Sequence, residues 1–286
     1  MQLGLLLPHL GPNAAPDQII KIGQLAEQLG FDSLWCNDHL IMPAHTDLTG
    51  TYGRLFEAFI TLAALSTVTE DVKLGTGVLI LPLRDPVLVA KQAATLDAFA
   101  NGRLILGVGV GWEEEEYRFF NVDFYQRGRR CDEWLDIIRS VWRGTGIEVL
   151  SETYHIAMGV SEPVPIQPGG PPILIGGNSA ATFRRAARLG DGWVAGSHVS
   201  VERIVEGAQE IKAQAPIDHS GLLYAFRRPA GSLAETAVAD QMLASLQALK
   251  DAGVQGAILA LPVEYSPDVV ISEITLFTEK VMPHIR

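Results

Sequence analysis

RLILGVGVGWEEEE, at residues 103–116, is the stretch that decides the fold, because a fully apolar segment turns abruptly polar within it. Its first part, residues 104–110, has no polar side chain on either face, which is typical of a parallel β-strand covered on both sides. Three side chains are missing from one face, at Gly107, Gly109 and Gly111. Glycine packs nothing in a strand and costs backbone entropy, so we expect something bulky and planar to lie against it. The change to Trp112 and four glutamates predicts the edge of a cleft where this strand ends.

Short apolar runs alternate with longer amphipathic ones along the whole chain. The apolar runs predict eight strands, at residues 3–8, 33–37, 72–81, 104–110, 173–176, 192–195, 222–226 and 257–261. Helical spacing follows each of them, at residues 17–29, 56–67, 86–100, 129–142, 180–189, 200–213, 237–252 and 267–282. The pattern predicts an α/β fold in one domain, residues 1–286, and eight units favour a (β/α)8 barrel (TIM barrel). A doubly wound open sheet is the alternative.

Two segments are longer than a plain barrel requires. Residues 39–54 form a polar loop after the second strand. Residues 144–172, after the fourth strand and its helix, contain a predicted hairpin (IEVLSETYHIAM) and a proline-rich run. Loops of this length are usually functional, so both are expected to shape a pocket, the second as a lid or a dimer contact.

Composition limits the classes of partner. The chain has 286 residues, of which 48% are hydrophobic and 19% charged, and a net charge of −11. This charge argues against nucleic acid or an anionic membrane as the main partner. Cys36 and Cys131 are isolated, so neither a disulfide framework nor a metal site is predicted. The N-terminal MQLGLLLPHL lacks a basic segment and no apolar run reaches the length of a membrane span, so a cytoplasmic location is expected.

Several residue types at the predicted strand ends suit chemistry. His39 follows Asp38 at the end of the second strand, where barrel enzymes place acid–base groups; the alternative is a histidine that only hydrogen-bonds the loop. Gly75 and Gly77 flank Thr76 in the third strand, which indicates either a close backbone approach or an ordinary barrel corner.

The turn Gly176-Gly177-Asn178-Ser179 joins the fifth strand to a helix. Free N–H groups, a hydroxyl and the helix dipole make such a turn an anion site, and Arg184 and Arg185 follow within two turns; a simple N-cap is the alternative. Of the four glutamates at 113–116, at most one is expected to point inward, and Glu116 is the candidate. Arg227 and Arg228 follow the seventh strand, where Arg227 either binds a substrate anion or lies at the surface.

These pieces occur in one order: LGLLLPHLGP, WCNDHLIMP, KLGTGVLILPLRDP, NGRLILGVGVGWEEEEY, RGRRCDEWL and PPILIGGNSAATFRRAARLGDGW. Together they closely resemble the bacterial luciferase-like family of flavin- and deazaflavin-dependent oxidoreductases, and within it the coenzyme F-420-dependent branch. The matching motifs occur throughout residues 3–193, and the rest of the chain matches only in its alternation of strands and helices. It implies a TIM barrel with an insertion after the fourth βα unit, commonly a homodimer, which binds coenzyme F-420 or FMN at the C-terminal ends of its strands.

The resemblance also implies roles for individual residues. His39 would donate a proton or position the substrate, and Glu116 matches a recurrent family acid, so both are catalytic candidates. Gly77–Val78 would form a bulge, often with a cis peptide, behind the ring. The implied cofactor-binding residues are Asp38, Thr76, Gly77, Val78, Gly107, Gly109, Gly176, Gly177, Asn178, Ser179 and Trp193, of which Gly176 to Ser179 would hold a phosphate.

One departure from the family pattern concerns the substrate. Sugar-phosphate dehydrogenases of the family carry a glutamate immediately after the GxG, where this chain has Trp112, and an indole cannot shuttle a proton. A sugar phosphate is therefore disfavoured, and Trp112 is expected to contact a more apolar small-molecule substrate.

Three functions follow from the resemblance and the residues. The leading one is hydride transfer with F-420. The alternatives are an FMN-dependent monooxygenase supplied by a separate reductase and a non-catalytic flavin-binding protein. An unrelated barrel acting on a sugar phosphate is less well supported, because no metal or lysine motif accompanies it.

Overall fold

A closed parallel β-barrel forms the centre of the protein in the computed structural model, which describes residues 1–45, 52–196, 198–215 and 222–286. The strands are β1 (Gln2–Leu6), β2 (Ser33–Cys36), β3 (Lys73–Thr76), β4 (Leu79–Ile80), β5 (Leu104–Gly109), β6 (Ile147–Leu150), β7 (His155–Gly159), β8 (Ile173–Gly176), β9 (Gly192–Ala195), β10 (Leu222–Arg227) and β11 (Gly256–Leu259). All except β6 and β7 belong to one sheet in the order β3-β2-β1-β11-β10-β9-β8-β5-β4. An additional β3–β5 pairing closes the ring, which confirms the barrel and excludes the open sheet.

Helices surround the barrel. They are α1 (Pro16–Gln28), α2 (Ala58–Ser66), α3 (Pro86–Phe99), α4 (Glu114–Phe119), α5 (Arg127–Val141), α6 (Ala180–Leu189), α7 (Val201–Gln214), α8 (Thr236–Asp251), α9 (Pro267–Lys280) and α10 (Met282–Ile285). The apolar strand runs are explained by this arrangement, because each strand packs against the interior on one face and against helices on the other. None of the described helices has the length and apolar character of a membrane span.

The third strand differs from its prediction. The apolar run at 72–81 forms two short strands, β3 and β4, which are separated at Gly77 and Val78. The Gly77–Val78 peptide bond is cis, the geometry that the family resemblance implies. Both pieces pair with β5, so together they supply the third strand of an eight-stranded barrel.

Aromatic rings fill the barrel interior, and glycines on neighbouring strands make room for them. The Trp35 ring lies 5.3 Å from that of Tyr224 and 6.5 Å from that of Phe226. A Cβ atom at Gly75 would lie 2.4 Å from the Trp35 indole, and one at Gly256 would lie 2.2 Å from the Tyr224 ring. The planar group that lies against Gly75 of β3 is thus the Trp35 side chain of the protein itself.

The insertion at 144–172 packs outside the helix shell. Its strands β6 and β7 pair antiparallel, as the sequence predicts. The Tyr154 ring lies 5.4 Å from Trp134 of α5, and Gln167 donates to the buried Asp97 of α3 from its backbone and its side-chain amide. No residue of this segment lines the cavity at the C-terminal ends of the strands, so its role as a lid or a dimer contact stays a prediction.

Candidate active site

A cavity of about 310 Å³ opens at the C-terminal ends of the barrel strands. Its size lies at the lower end of the range typical of small-molecule sites, about 300–1,000 Å³. Much of its wall is apolar and includes Leu10, Val194, Phe226 and Val263. The residues at its wall that carry charged, amide, imidazole or hydroxyl groups follow different strands and are Asn37, Asp38, His39, Tyr52, His198 and Arg228. The cavity is therefore an apolar site with a few convergent polar groups.

His39 is held in the wall of this cavity by a buried carboxylate. Its Nδ1 lies 2.8 Å from Oε2 of Glu116, and the two side chains are 8% and 1% exposed. The other carboxylate oxygen accepts the backbone N–H groups of Leu40 at 2.7 Å and Ile41 at 3.2 Å. An ionised carboxylate only accepts, so the Nδ1–H donates and Nε2 is the nitrogen left for a ligand.

Helix α4 selects Glu116 from the four consecutive glutamates. Glu113 caps the helix, Glu114 pairs with Arg118 at 2.6 Å, and Glu115 lies 3.3 Å from His45. Only Glu116 of the four is buried, as the sequence analysis expects. The next residue fixes the helix, since the Tyr117 hydroxyl donates to the Val110 carbonyl at the end of β5. This bond orients α4 so that Glu116 faces the end of β2.

An aromatic edge surrounds His39. Its ring centroid lies 4.8 Å from that of Tyr52 and 5.6 Å from that of Trp112. Trp112 remains 55% exposed although it lines the cavity, so its indole is available to a ligand at the mouth. The predicted loop at 39–54 contributes His39 and Tyr52 to this wall, and its residues 46–51 lie outside the described part of the chain.

Val78, rather than the β5 backbone, forms the floor of the cavity. A Cβ atom at Gly109 would lie 2.6 Å from Cγ2 of Val78, and one at Gly176 would lie 2.5 Å from its Cγ1. At Gly107 a Cβ atom would meet the carbonyl oxygen of Thr76 at 1.9 Å. Gly107 and Gly109 do not line the cavity, so the expectation that they admit a ligand is corrected: they admit Val78 and the β3 backbone.

Two further predicted cofactor-binding side chains are engaged within the protein. The buried Asp38 carboxylate accepts from Arg84 at 2.8 Å and from the Ile80 N–H at 3.0 Å. The buried Thr76 hydroxyl donates to the Gly107 carbonyl at 2.7 Å. Both side chains therefore join neighbouring strand ends through their polar atoms. Asp38 also lines the cavity, whereas Thr76 does not.

The turn after β8, residues 176–179, is the predicted anion cradle and leads directly into α6. Gly176 and Gly177 line the cavity, and Gly177 adopts φ +124°, a conformation that favours glycine. Asn178 accepts the Gly196 N–H at 3.3 Å, which joins this turn to the end of β9. Ser179 caps α6 by accepting the Thr182 N–H at 3.2 Å. Arg185 is committed to Asp132 of α5, which leaves Arg184 as the exposed arginine of this helix start.

The alternation of side chains along a strand determines which way two of the predicted site residues, Trp193 and Arg227, point. The Trp193 side chain points away from the barrel interior toward the helices, where its ring lies 5.3 Å from that of Phe183. Its indole N–H donates to the Gly177 carbonyl at 2.6 Å, which is its contact with the turn after β8. Arg227 likewise points outward from β10 and donates to Val199. The next residue, Arg228, lines the cavity instead.

Three polar residues of the cavity wall were not predicted as site residues. Arg228 could have been identified, because side chains alternate along a strand and Phe226, two residues earlier, faces inward. For His198 and Asn37 the only signal in the sequence is a polar residue shortly after a strand.

Asn37 provides a test of whether a flavin-type ring suits this cavity. Its Oδ1 is buried, belongs to a side chain that lines the cavity, and makes no well-aligned hydrogen bond among the described residues, although the His9 ring interacts with this side chain. A buried acceptor without a partner is costly, and an N–H of a ligand would satisfy it. The pyrimidine part of a flavin or deazaflavin carries such an N–H, so the residues present fit this class of cofactor. No cluster suited to a metal ion occurs within the described residues.

Comparison with known proteins gives a family match and several relatives. A family model described as luciferase-like monooxygenase matches residues 1–258. An uncharacterized protein of Mycobacterium tuberculosis is 35% identical over 209 residues, which cover 68% of this chain and 72% of the relative. The oxygenase component of a flavin-dependent trigonelline monooxygenase from Acinetobacter baylyi is 28% identical over 61% of this chain and 46% of its own. An F420-dependent glucose-6-phosphate dehydrogenase from Amycolatopsis mediterranei is 28% identical over 65% of this chain and 55% of its own.

Solved structures share the fold at low sequence identity. The oxygenating constituent of 3,6-diketocamphane monooxygenase from Pseudomonas putida, in complex with FMN, matches with a TM-score of 0.80 at 15% identity, over 100% of this chain and 99% of that one. An F420-dependent secondary alcohol dehydrogenase with an F420-acetone adduct matches with a TM-score of 0.77 at 18% identity, over 100% and 99%. At these identities the likeness shows the barrel fold alone.

Proposed function

Because the chain belongs to the luciferase-like monooxygenase family, we propose that it is an oxidoreductase that binds coenzyme F-420. It would transfer hydride from the reduced cofactor to a small organic substrate, or from the substrate to the oxidised cofactor. The observation that carries this proposal is the His39–Glu116 pair in the wall of an apolar cavity. A histidine turned away from the cavity would have favoured a flavin-binding protein without turnover.

His39 moves the proton in this proposal. Glu116 fixes the ring through Nδ1, so Nε2 can donate a proton to an oxygen of the substrate or accept one from it. When bound, the reduced cofactor would supply the hydride that accompanies proton donation by His39, and the oxidised cofactor would accept the hydride when His39 takes the proton. The apolar wall and the Trp112 indole exclude water around that proton transfer and suit a substrate less polar than a sugar phosphate.

The proposed cofactor contacts follow the cavity from floor to rim. Gly77 and Val78 lie behind the ring, and Asn37 accepts its N–H. The turn from Gly176 to Ser179 and the first N–H groups of α6 hold a phosphate, because the positive end of a helix dipole favours an anion.

A second candidate cofactor is FMN. The trigonelline relative is named as the oxygenase component of a flavin-dependent monooxygenase, which supports oxygen insertion with a reductase as a separate partner. The glucose-6-phosphate dehydrogenase relative supports F-420 instead. A deazaflavin does not readily form the oxygen adduct that insertion requires, so the identity of the cofactor decides the reaction class.

Retention of the cofactor tests the proposal and separates the two candidates. The protein is incubated without oxygen with reduced F-420 or reduced FMN, passed over a desalting column, and the protein fraction is analysed by mass spectrometry. We expect F-420 to co-elute with the protein. Co-elution of FMN alone would assign the monooxygenase function, and co-elution of neither would contradict both.

We also propose that residues 1–286 act as one domain that forms a homodimer. Helices α2 and α3 pack together and expose large apolar side chains, namely Ile60, Leu88 and Phe99. Exposed apolar surface of this kind favours association. Light scattering that gives only the monomer mass of 31.0 kDa at micromolar concentration would contradict the dimer.

A further inference from the structure

A second pocket, of about 380 Å³, lies outside the barrel between α7 and α8. It is distinct from the central cavity but adjoins it, because Arg228 lines both. Its wall contains two arginines, Arg227 and Arg228, and one acidic residue, Glu202. In a chain of net charge −11, a pocket with this excess of positive charge is a local exception.

Arg227 enters this pocket with most of its hydrogen-bonding capacity unused. Its Nη1 donates to the Val199 carbonyl at 2.9 Å, whereas its Nε is buried and has no partner among the described residues. No described carboxylate lies within ion-pair distance of it. Burial lowers the pKa of the Arg227 guanidinium, and Glu202 opposes this effect only in part. The Glu202 carboxylate is exposed and interacts with its own N–H and with the Ser200 hydroxyl, which lowers its pKa.

Ser245 of α8 provides an independent observation on the opposite wall. Its Oγ is buried and also lacks a partner among the described residues. Buried polar groups are hydrogen-bonded in most folded proteins, so two such groups on one pocket call for a ligand that pairs with both. A guanidinium N–H can only donate and a hydroxyl can donate as well, so that ligand must accept.

We propose that the pocket between α7 and α8 binds an oxyanion, a phosphate or a carboxylate, through Arg227 and Ser245. A guanidinium matches the oxygens of either group in charge and geometry. Arg228 lines both this pocket and the central cavity, so the bound oxyanion would lie near the barrel mouth. The site is independent of the proposed redox function.

Titration of the ligand-free protein with inorganic phosphate and with glutarate tests this site. Binding is measured by calorimetry against a sodium chloride control of equal ionic strength. We expect saturable binding of at least one anion, and Arg227→Met, which keeps an aliphatic stem, to weaken it by about tenfold or more, the scale of one lost charge-assisted contact. Arg188→Met, which removes an exposed arginine at the far end of α6, should leave binding unchanged.

Several results would overturn the proposal. The first is that no anion binds above the chloride control. The second is that Arg227→Met binds the anion as tightly as the wild type. The third is that Arg188→Met weakens binding as much as Arg227→Met does, which would indicate a general charge effect. Phosphate that binds equally well to Arg227→Met would lie elsewhere, for example in the α6 cradle, and would leave the proposed function intact. If Arg227→Met does not fold, Ser245→Ala replaces it, and undiminished binding by that variant overturns the proposal. Preference for phosphate or for glutarate identifies which oxyanion the site takes.

Discussion

His39 is the residue on which the proposed chemistry depends. We expect His39→Asn to lower turnover by about 10²–10⁴ while cofactor binding persists, because a positioned general acid contributes on that scale. Glu116→Gln keeps an acceptor for the imidazole but removes the charge, so a smaller loss of about tenfold to hundredfold is expected. The matched control is Glu114→Gln, which alters only an exposed pair with Arg118. Steady-state rates that do not change in His39→Asn would assign that residue to structure.

His9 makes stability depend on pH. The ring is fully buried, with Nδ1 2.9 Å from the Leu7 carbonyl and Nε2 3.1 Å from that of Asn37. Burial, the largest influence, lowers the pKa of His9 below its ordinary 6.5, although the two carbonyls oppose it. The unfolded chain therefore binds the proton more tightly, so this contribution to stability is complete above about pH 6.5 and is lost as the pH falls through the folded-state pKa.

The His9 effect is measurable by urea unfolding at several pH values. Between about pH 7 and pH 5.5, the free energy of unfolding should fall more steeply for the wild type than for His9→Gln, by at most about 1.4 kcal/mol per pH unit. His284→Gln, which removes an exposed histidine, should keep the wild-type slope. Parallel slopes for wild type and His9→Gln would show that His9 does not cause the dependence.

At the residue scale, local rules predicted some orientations and missed others. Glu116 was identifiable because only one member of a glutamate run at a helix start can face the core. The outward directions of Trp193 and Arg227 follow from alternation along a strand, but only once its inward residues are known. The partnership of His39 with Glu116 spans 77 positions, and no local pattern reports it.

Among the elements, β5 shows how the cavity floor is built. Gly109→Ala should lower the free energy of unfolding by about 1–3 kcal/mol, because its Cβ would meet Val78 at 2.6 Å. Val78→Ala in the same chain should restore most of that loss. Gly107→Ala should lower the free energy of unfolding whether or not Val78→Ala is also present. Its Cβ would meet the Thr76 carbonyl, and a backbone group cannot move aside as a side chain can.

Urea unfolding of the single and double variants checks this account of β5. If Val78→Ala restored stability to both glycine variants, or to neither, side-chain packing by Val78 would not explain the glycines. The sequence identified the missing side chains on β5 but not what fills the space, because β3 and β4 approach β5 only through the closure of the barrel.

At the scale of the whole molecule, the order of apolar and amphipathic runs was sufficient to predict the barrel. Each strand needs cover on both faces, and eight βα units supply it in only a few ways. The insertion at 144–172 could not be placed in this way, because its contacts with α3 and α5 depend on which helices the barrel leaves exposed. The full set of residues in the cavity wall could likewise not be predicted from the sequence, because these residues come from the ends of most of the strands.

Binding of a deazaflavin or flavin in the central cavity is measured by fluorescence titration with F-420 and with FMN. Gly196→Trp introduces a side chain into the cavity wall, where among the described residues a Cβ would meet the Asn178 amide alone, at 3.3 Å. Ala213→Trp adds the same ring at an exposed position on α7. We expect micromolar binding of one cofactor by wild type and Ala213→Trp, and binding weaker by about tenfold or more in Gly196→Trp. Binding of neither cofactor, or equal affinity in all three proteins, would contradict binding in this cavity.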